Sequence, residues 1–263
     1  MTREDLVLSV HKFKRYKPLL HELVMRDLRV KYRRSFLGYL WSLLNPLMMM
    51  AVMSVVFSYM FRFDIPNYPL HLICGQTIWT FFATATTEAL ISVWANGALI
   101  RKVYIPKYIF PLARVLSNFV TLTFSLAAIV IVMLVTRVPF TWKLLLTVYP
   151  LITLMIFSVG LSLILASLSV YFRDVVHIYS VVTMAWMYLT PIFYPLSALP
   201  PQLVKLVELN PMHQYVDCFR QLVVTATIPS AFCWIYCTAA AVVMLGLGLF
   251  TFNKLQKNFI LYV

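Results

Sequence analysis

Arg26, Arg29, Lys31, Arg33 and Arg34 crowd together immediately before a long charge-free run. An arginine fork can hold a phosphate by paired, charge-assisted hydrogen bonds that lysine cannot reproduce. Cations at the edge of an apolar segment also attract anionic lipid, at ~1 kcal/mol each. The group therefore has two readings, a grip on a phosphorylated lipid head and a topological anchor, and both can hold at once. Glu88 is the one charged residue within Ile65–Ile100. An ionisable group at membrane depth is costly and by default faces a bundle interior or a cavity. On a helix, Thr77, Thr80, Thr84, Thr87, Glu88 and Ser92 share an arc of roughly 140°. Such a stripe could line a conduit for hydrophilic cargo or bond to neighbouring helices. Trp186 and Tyr188, with Phe81, Phe82, Phe193 and Tyr194, offer ring faces for sugar stacking, or else an interfacial belt. Ser158, Ser162 and Ser169 share a face with Ala166, a spacing that favours close helix packing.

Other chemistries are excluded or unsupported. A nucleotide-hydrolysing loop needs clustered glycines followed by Lys and Ser/Thr. The chain has six glycines and none in that arrangement, so ATP-driven work would fall to a separate subunit. The net charge of +13 borders apolar runs, which points to anionic lipid rather than nucleic acid. Cys74, Cys218, Cys233 and Cys237 lie in or beside those runs. Cys233 and Cys237 are one helical turn apart without a nearby sequence partner for a metal site, and read as packing residues.

The elements that must position these groups are helices in a bilayer. Ser35–Phe61, Val115–Thr136, Leu144–Phe172, Val175–Val204 and Gln221–Asn253 contain no Asp, Glu, Lys or Arg. With Ile65–Ile100 they make six runs, each exceeding the roughly 20 residues that cross a hydrocarbon layer. The predicted fold is all-α, with spans about 37–61, 70–99, 112–136, 144–171, 176–194 and 228–252. Residues 1–34 form a polar, basic arm and 35–263 the transmembrane domain. No cleavable leader is expected, because the first ~34 residues lack an apolar core. Of 22 Lys and Arg residues, 17 fall on one side of this topology and only Arg62, Arg137, Lys143, Lys205 and Arg220 on the other. That bias predicts both termini in the cytoplasm.

Within the arm, an interfacial helix is predicted from Pro18, carrying Leu19, Leu20, Leu23, Val24 and Leu28, with Asp27 and Lys31 interrupting its apolar face. Asn45-Pro46 should kink the first span or free a carbonyl. Pro106 and Pro111 bracket a short amphipathic piece, about 100–110. After the fifth span, Pro195, Pro200, Pro201 and Asn210-Pro211 break an apolar segment into short helices, about 195–225. These should dip back into the membrane at its outer surface.

Four stretches carry a family resemblance. RDLRVKYRRSFLGYLWSLLNPL (Arg26–Leu47), LIRKVYIPKYIFPLARV (Leu99–Val115), YFRDV (Tyr171–Val175) and TPIFYPLSALP with LNPMHQYV (Thr190–Pro200, Leu209–Val216) resemble the membrane subunit of bacterial polysaccharide ABC exporters. These export O-antigen, teichoic acid or capsule. The resemblance runs from about Arg26 to Lys254.

It implies a homodimer in the bacterial cytoplasmic membrane, joined to two cytoplasmic ABC ATPase subunits that bind ATP and Mg. The cargo would be a polyprenyl-diphosphate-linked glycan, and this chain would hold no cofactor and be no enzyme. Residues 100–110 would be the coupling helix, offering Arg101, Lys102, Tyr104, Ile105, Pro106 and Lys107 to the ATPase. Arg26, Arg29, Arg33 and Arg34 would meet the diphosphate, with Arg33 and Arg34 nearest. Thr77, Thr80, Thr84, Thr87, Glu88, Trp186 and Tyr188 would line the conduit. Pro195, Pro200, Pro201, Asn210 and Pro211 would shape the outer gate. The alternatives are an exporter of drugs or small lipids, or a membrane-embedded enzyme acting on polyprenyl phosphates.

Overall fold

A computed structural model describes residues 3–33, 36–60, 65–103 and 105–262. Arg34 and Tyr104 lie outside the described residues. The described chain forms helices α1 (Arg3–Tyr32), α2 (Trp41–Met60), α3 (Tyr68–Leu90), α4 (Ser92–Ala95), α5 (Gly97–Lys102) and α6 (Ile109–Val135). These are followed by α7 (Val148–Tyr171), α8 (Val175–Leu189), α9 (Pro201–Glu208), α10 (Pro211–Val223), α11 (Ala231–Leu255) and α12 (Phe259–Tyr262). No strand occurs among the described residues.

Four helical stretches are long and apolar enough to cross a membrane: Gly38–Phe57, Ile109–Val135, Trp142–Tyr171 and Ala231–Asn258. The remaining two of the six expected spans fall on α3 and α8. α3 has 23 residues but carries the threonines, Gln76 and Glu88 that lower its apolarity. It can be this polar because it is packed against α2, α6, α7, α8 and α10. α8 has 15 residues, which at 1.5 Å each fall short of a ~30 Å core.

The second expected span, 70–99, is not one continuous helix. It stops at Leu90, turns at Ile91 and Asn96, and resumes as two short pieces. The N-terminal helix is longer than expected: it runs through Pro18 from Arg3. The short helix expected at about 100–110 lies upstream, at Gly97–Lys102, and Val103 is extended (φ −135°, ψ 136°). Pro106 disfavours the α region at Ile105, so a helix cannot run on through the middle of 100–110.

The deepest seam is between α7 and α11. It depends on two glycines. A Cβ on Gly160 would lie 2.4 Å from the backbone of Met244, and one on Gly248 would lie 2.3 Å from the Gly160 carbonyl oxygen. Without lipid-excluding apolar attraction between helices, such close backbone approach is a main source of cohesion.

A second cluster closes the basic end of the bundle. Leu20 and Leu23 of α1 pack with Val93, Ile100, Ile105, Phe110, Leu163, Phe252 and Phe259. Asp27, which looked like a fault in the apolar face of α1, bridges to Arg114 of α6 at 3.3 Å as well as to Arg26 at 3.1 Å. The interruption is an anchor.

Candidate functional site

Two hollows flank the C-terminal turns of α1. The first, of ≈ 840 Å³, is lined by Glu22, Leu23, Arg26, Arg29, Val30, Arg33, Gly38 and Tyr39. Arg26, Arg29 and Arg33 recur at helical spacing, so one face of α1 presents all three. Gly38, at φ 49°, opens the 3₁₀ turn Gly38–Leu40, whose Tyr39 also lines the hollow. Three guanidiniums against the carboxylates of Glu22 and of Asp27, which pairs with Arg26, leave this hollow net cationic and suited to an anion with several oxygens. Among the arginines expected to meet a diphosphate, these three share the hollow.

The second hollow, of ≈ 500 Å³, lies between α2, α3 and α6, and its wall includes Lys31, Trp41, Asn45, Met49, Gln76, Thr77, Thr80, Phe81, Thr84, Glu88, Asn118 and Ser125. Of the expected stripe, Thr77, Thr80, Thr84 and Glu88 reach it; Thr87 does not. The two readings of Glu88 merge here. Its Oε2 accepts a 2.8 Å hydrogen bond from Asn118 Nδ2 across the helix interface, and its side chain still borders the hollow. Thr84 spends its hydroxyl on the Thr80 carbonyl, 2.6 Å away. Gln76 Oε1 and Thr77 Oγ1 are buried with no hydrogen-bond partner among the described residues. Gln76 and Asn118 had no distinguishing sequence signal beyond being amides in apolar runs.

Trp186 and Tyr188 lie elsewhere. The Trp186 indole packs edge-on against Phe82, with centroids 5.1 Å apart, and donates to Asn210 Oδ1 at 2.8 Å. Tyr188 is exposed, and its carbonyl accepts from the Tyr194 hydroxyl at 2.6 Å. Neither lines either hollow.

At the basic end, Arg101 and Lys102 are exposed at the end of α5, while Ile105 is buried and Pro106 partly so. Lys107 is turned inward. Its Nζ donates to the Gln256 carbonyl at 2.7 Å and lies 5.4 Å from the centre of the Phe259 ring. Burial there pushes its ammonium below the usual lysine range. Tyr171 completes the contact, donating to the Leu255 carbonyl at 2.8 Å. The C-terminal turn thus packs directly beneath the 105–108 loop.

The proline-broken segment forms two short helices as its sequence predicted. Pro201 and Pro211 take the first positions of α9 and α10, where a missing N–H costs nothing. Pro195 precedes the turn Leu196–Ala198, and Pro200 precedes α9 in extended conformation. Asn210 caps α10 by accepting from Met212 N at 3.0 Å and donates to Thr190 Oγ1 at 2.9 Å. The central fastening is Arg220. Its Nε donates to the His71 carbonyl at 3.0 Å, Nη1 to Pro191 at 2.7 Å and Nη2 to Ile192 at 2.8 Å. Gly75 leaves the space that this guanidinium fills, since a Cβ there would sit 2.3 Å from Nη2.

The serines and cysteines are in the core. Ser158, Ser162 and Ser169 are fully buried on α7, and Ser169 donates to the Leu90 carbonyl of α3. All four cysteines are buried and free, and Cys233 Sγ donates to the Gln214 carbonyl at 3.5 Å.

The family model described as ABC-2 type transporter matches residues 18–224. The O-antigen export system permease protein RfbA of Klebsiella pneumoniae is 32% identical over 248 residues, covering 92% of this chain and 93% of that protein. The protein of the same name from Myxococcus xanthus is 30% identical over 258 residues, covering 97% and 98%. The capsule polysaccharide export inner-membrane protein CtrC of Neisseria meningitidis serogroup A is 26% identical over 211 residues, covering 78% of each.

Proposed function

The chain belongs to the ABC-2 type transporter family, and from that premise we propose that it is the membrane-spanning subunit of an ATP-driven polysaccharide exporter. The cargo is a polyprenyl-diphosphate-linked glycan of O-antigen, teichoic acid or capsule type, moved outward across the cytoplasmic membrane. Two copies of this chain form the conduit, and two copies of a separate ABC ATPase subunit bind ATP and Mg and supply the work. α3, and α8 together with the buried irregular residues 190–193 that follow it, complete six crossings, with both termini cytoplasmic, so that the basic end faces the ATPase. α5 and the 103–108 loop make the contact with that subunit, and α9 and α10 form the outer gate.

The observation that carries this reading is the arginine hollow at the basic end. A diphosphate head carries about two negative charges and loses much of its water on leaving the cytoplasm. Arg26, Arg29 and Arg33 replace that water with charge-assisted donors at the level where a lipid head enters. Arg34 adjoins them in sequence.

The test is export by the chain coexpressed with its ATPase subunit in a host lacking its own exporter. Arg29→Lys/Arg33→Lys keeps the positive charge and the nonspecific lipid attraction. The variant is expected to insert normally while lipid-linked glycan accumulates inside the cell. Export at the wild-type rate would reduce these residues to topological anchors. Nucleotide hydrolysis by this chain alone would overturn the division of labour.

A further inference from the structure

We propose that the hollow between α2, α3 and α6 is a glycan subsite, which receives the first sugar joined to the diphosphate. This rests on the exporter reading and adds a recognition step to it. Position is the first argument. Lys31 faces this hollow while Arg29 and Arg33, on the same helix, face the arginine hollow; Trp41 and Ser42 face it while Gly38 and Tyr39 face the other. The two sites are thus lined by neighbouring residues of the same two stretches of chain. A head group held by the arginines places whatever is bonded to it close to those stretches.

Chemistry is the second argument. The hollow measures ≈ 500 Å³, within the ~300–1,000 Å³ typical of small-molecule sites. Its polar lining is mainly uncharged, with Asn45, Gln76, Thr77, Thr80 and Asn118 offering both donors and acceptors. Gln76 Oε1 and Thr77 Oγ1 have no partner among the described residues, so a ligand hydroxyl that bonds them fills a need left open there. Trp41 and Phe81 add ring faces for the C–H side of a pyranose. Lys31 and Glu88 offset one another, so the hollow has no net positive charge to draw in a second phosphate, and a lipid tail would bury the amides unpaired. A neutral polyol satisfies both constraints.

The experiment measures equilibrium binding to the complex of this chain with its ATPase subunit, held in lipid nanodiscs. One probe is a short-chain polyprenyl diphosphate carrying a single N-acetylhexosamine; the other is the same polyprenyl diphosphate without sugar. Wild type is expected to bind the sugar-bearing probe about 10-fold more tightly or better, as several hydrogen bonds at about 2- to 10-fold each would give. Gln76→Leu and, separately, Thr80→Val should each lower that preference about 2- to 10-fold while the sugar-free probe binds as before. Thr80 is exposed to the hollow, so its substitution serves if Gln76→Leu fails to assemble. Equal affinity of wild type for the two probes would overturn the subsite and leave the arginine hollow standing. An undiminished preference in both variants would likewise overturn it. Failure of both probes to bind would overturn the arginine reading along with it.

Discussion

Replacing Arg220 by methionine removes a cation that, among the described residues, forms no ion pair with a carboxylate. The carbonyls of Pro191 and Ile192 lie in the irregular segment between α8 and α9, where the guanidinium is their donor. Leaving two buried carbonyls unpaired costs about 1–3 kcal/mol each, hence about 2–6 kcal/mol together. At roughly 2–4 °C per kcal/mol for a chain of this size, the melting temperature should fall by roughly 5–20 °C. The assay is thermal unfolding of purified protein in detergent, followed by loss of the monodisperse peak. Gly75→Ala supplies the internal check. Its Cβ would stand 2.3 Å from Nη2, so it should damage the wild type and do little once Arg220 is methionine. The double-mutant cycle should therefore show a coupling above about 1 kcal/mol. A melting temperature within about 2 °C of wild type for Arg220→Met, or additive effects in the cycle, would refute the claim that this arginine fastens the outer segment.

Gly160→Ala should cost about 1–3 kcal/mol or more, because backbone of α11 must move, whereas Gly246→Ala, with nothing within 4 Å of its Cβ, should be nearly neutral in the same unfolding assay. In a cysteine-free background, Cys at 84 or 88 should react with a water-soluble thiol reagent and Cys at 186 should not, since only the first two positions border the polar hollow. Lys107→Glu should lose the Gln256 carbonyl and the Phe259 ring, and ATP hydrolysis by the assembled complex should continue with export reduced by about tenfold or more; unchanged export would separate the C-terminal turn from coupling. Asp27→Asn and Arg114→Met should each weaken export through a loosened α1, and their combination should be no worse than either alone.

Apolar runs and helix-breaking prolines were readable because they act locally. The long charge-free runs give the four membrane-length helices, and Pro201 and Pro211 start α9 and α10 at the positions their missing N–H groups favour. What depended on distant partners was not readable. Asp27 interrupts an apolar face until Arg114, far along the chain, is seen beside it. Arg220 counted only as an outer-side charge, although three carbonyls and the gap at Gly75 define its place. Lys107 read as an outward contact because its loop alternates charge with apolar residues, yet Gln256 and Phe259 turn it inward. The break at Ile91 and Asn96 carries no proline, and its one local mark is the turn-favouring pair Asn96-Gly97. The polar stripe on α3 was legible from its spacing, but the hollow facing it required α2 and α6.

A ribosome delivers α3 before α6, α7 and α10 have been made. Left alone in lipid, its threonines, Gln76 and Glu88 would meet hydrocarbon, and it is not among the helices apolar enough to settle there unaided. Stable residence therefore depends on neighbours synthesised later, with Asn118 of α6 bonding Glu88 and the Tyr179 hydroxyl of α8 bonding Thr86 Oγ1. Biogenesis of this subunit is then a delayed commitment. In the six-span reading α3 acquires these partners only after α6 and α8 have been made, so its stable residence in the bilayer follows, rather than precedes, that of the helices that enclose it.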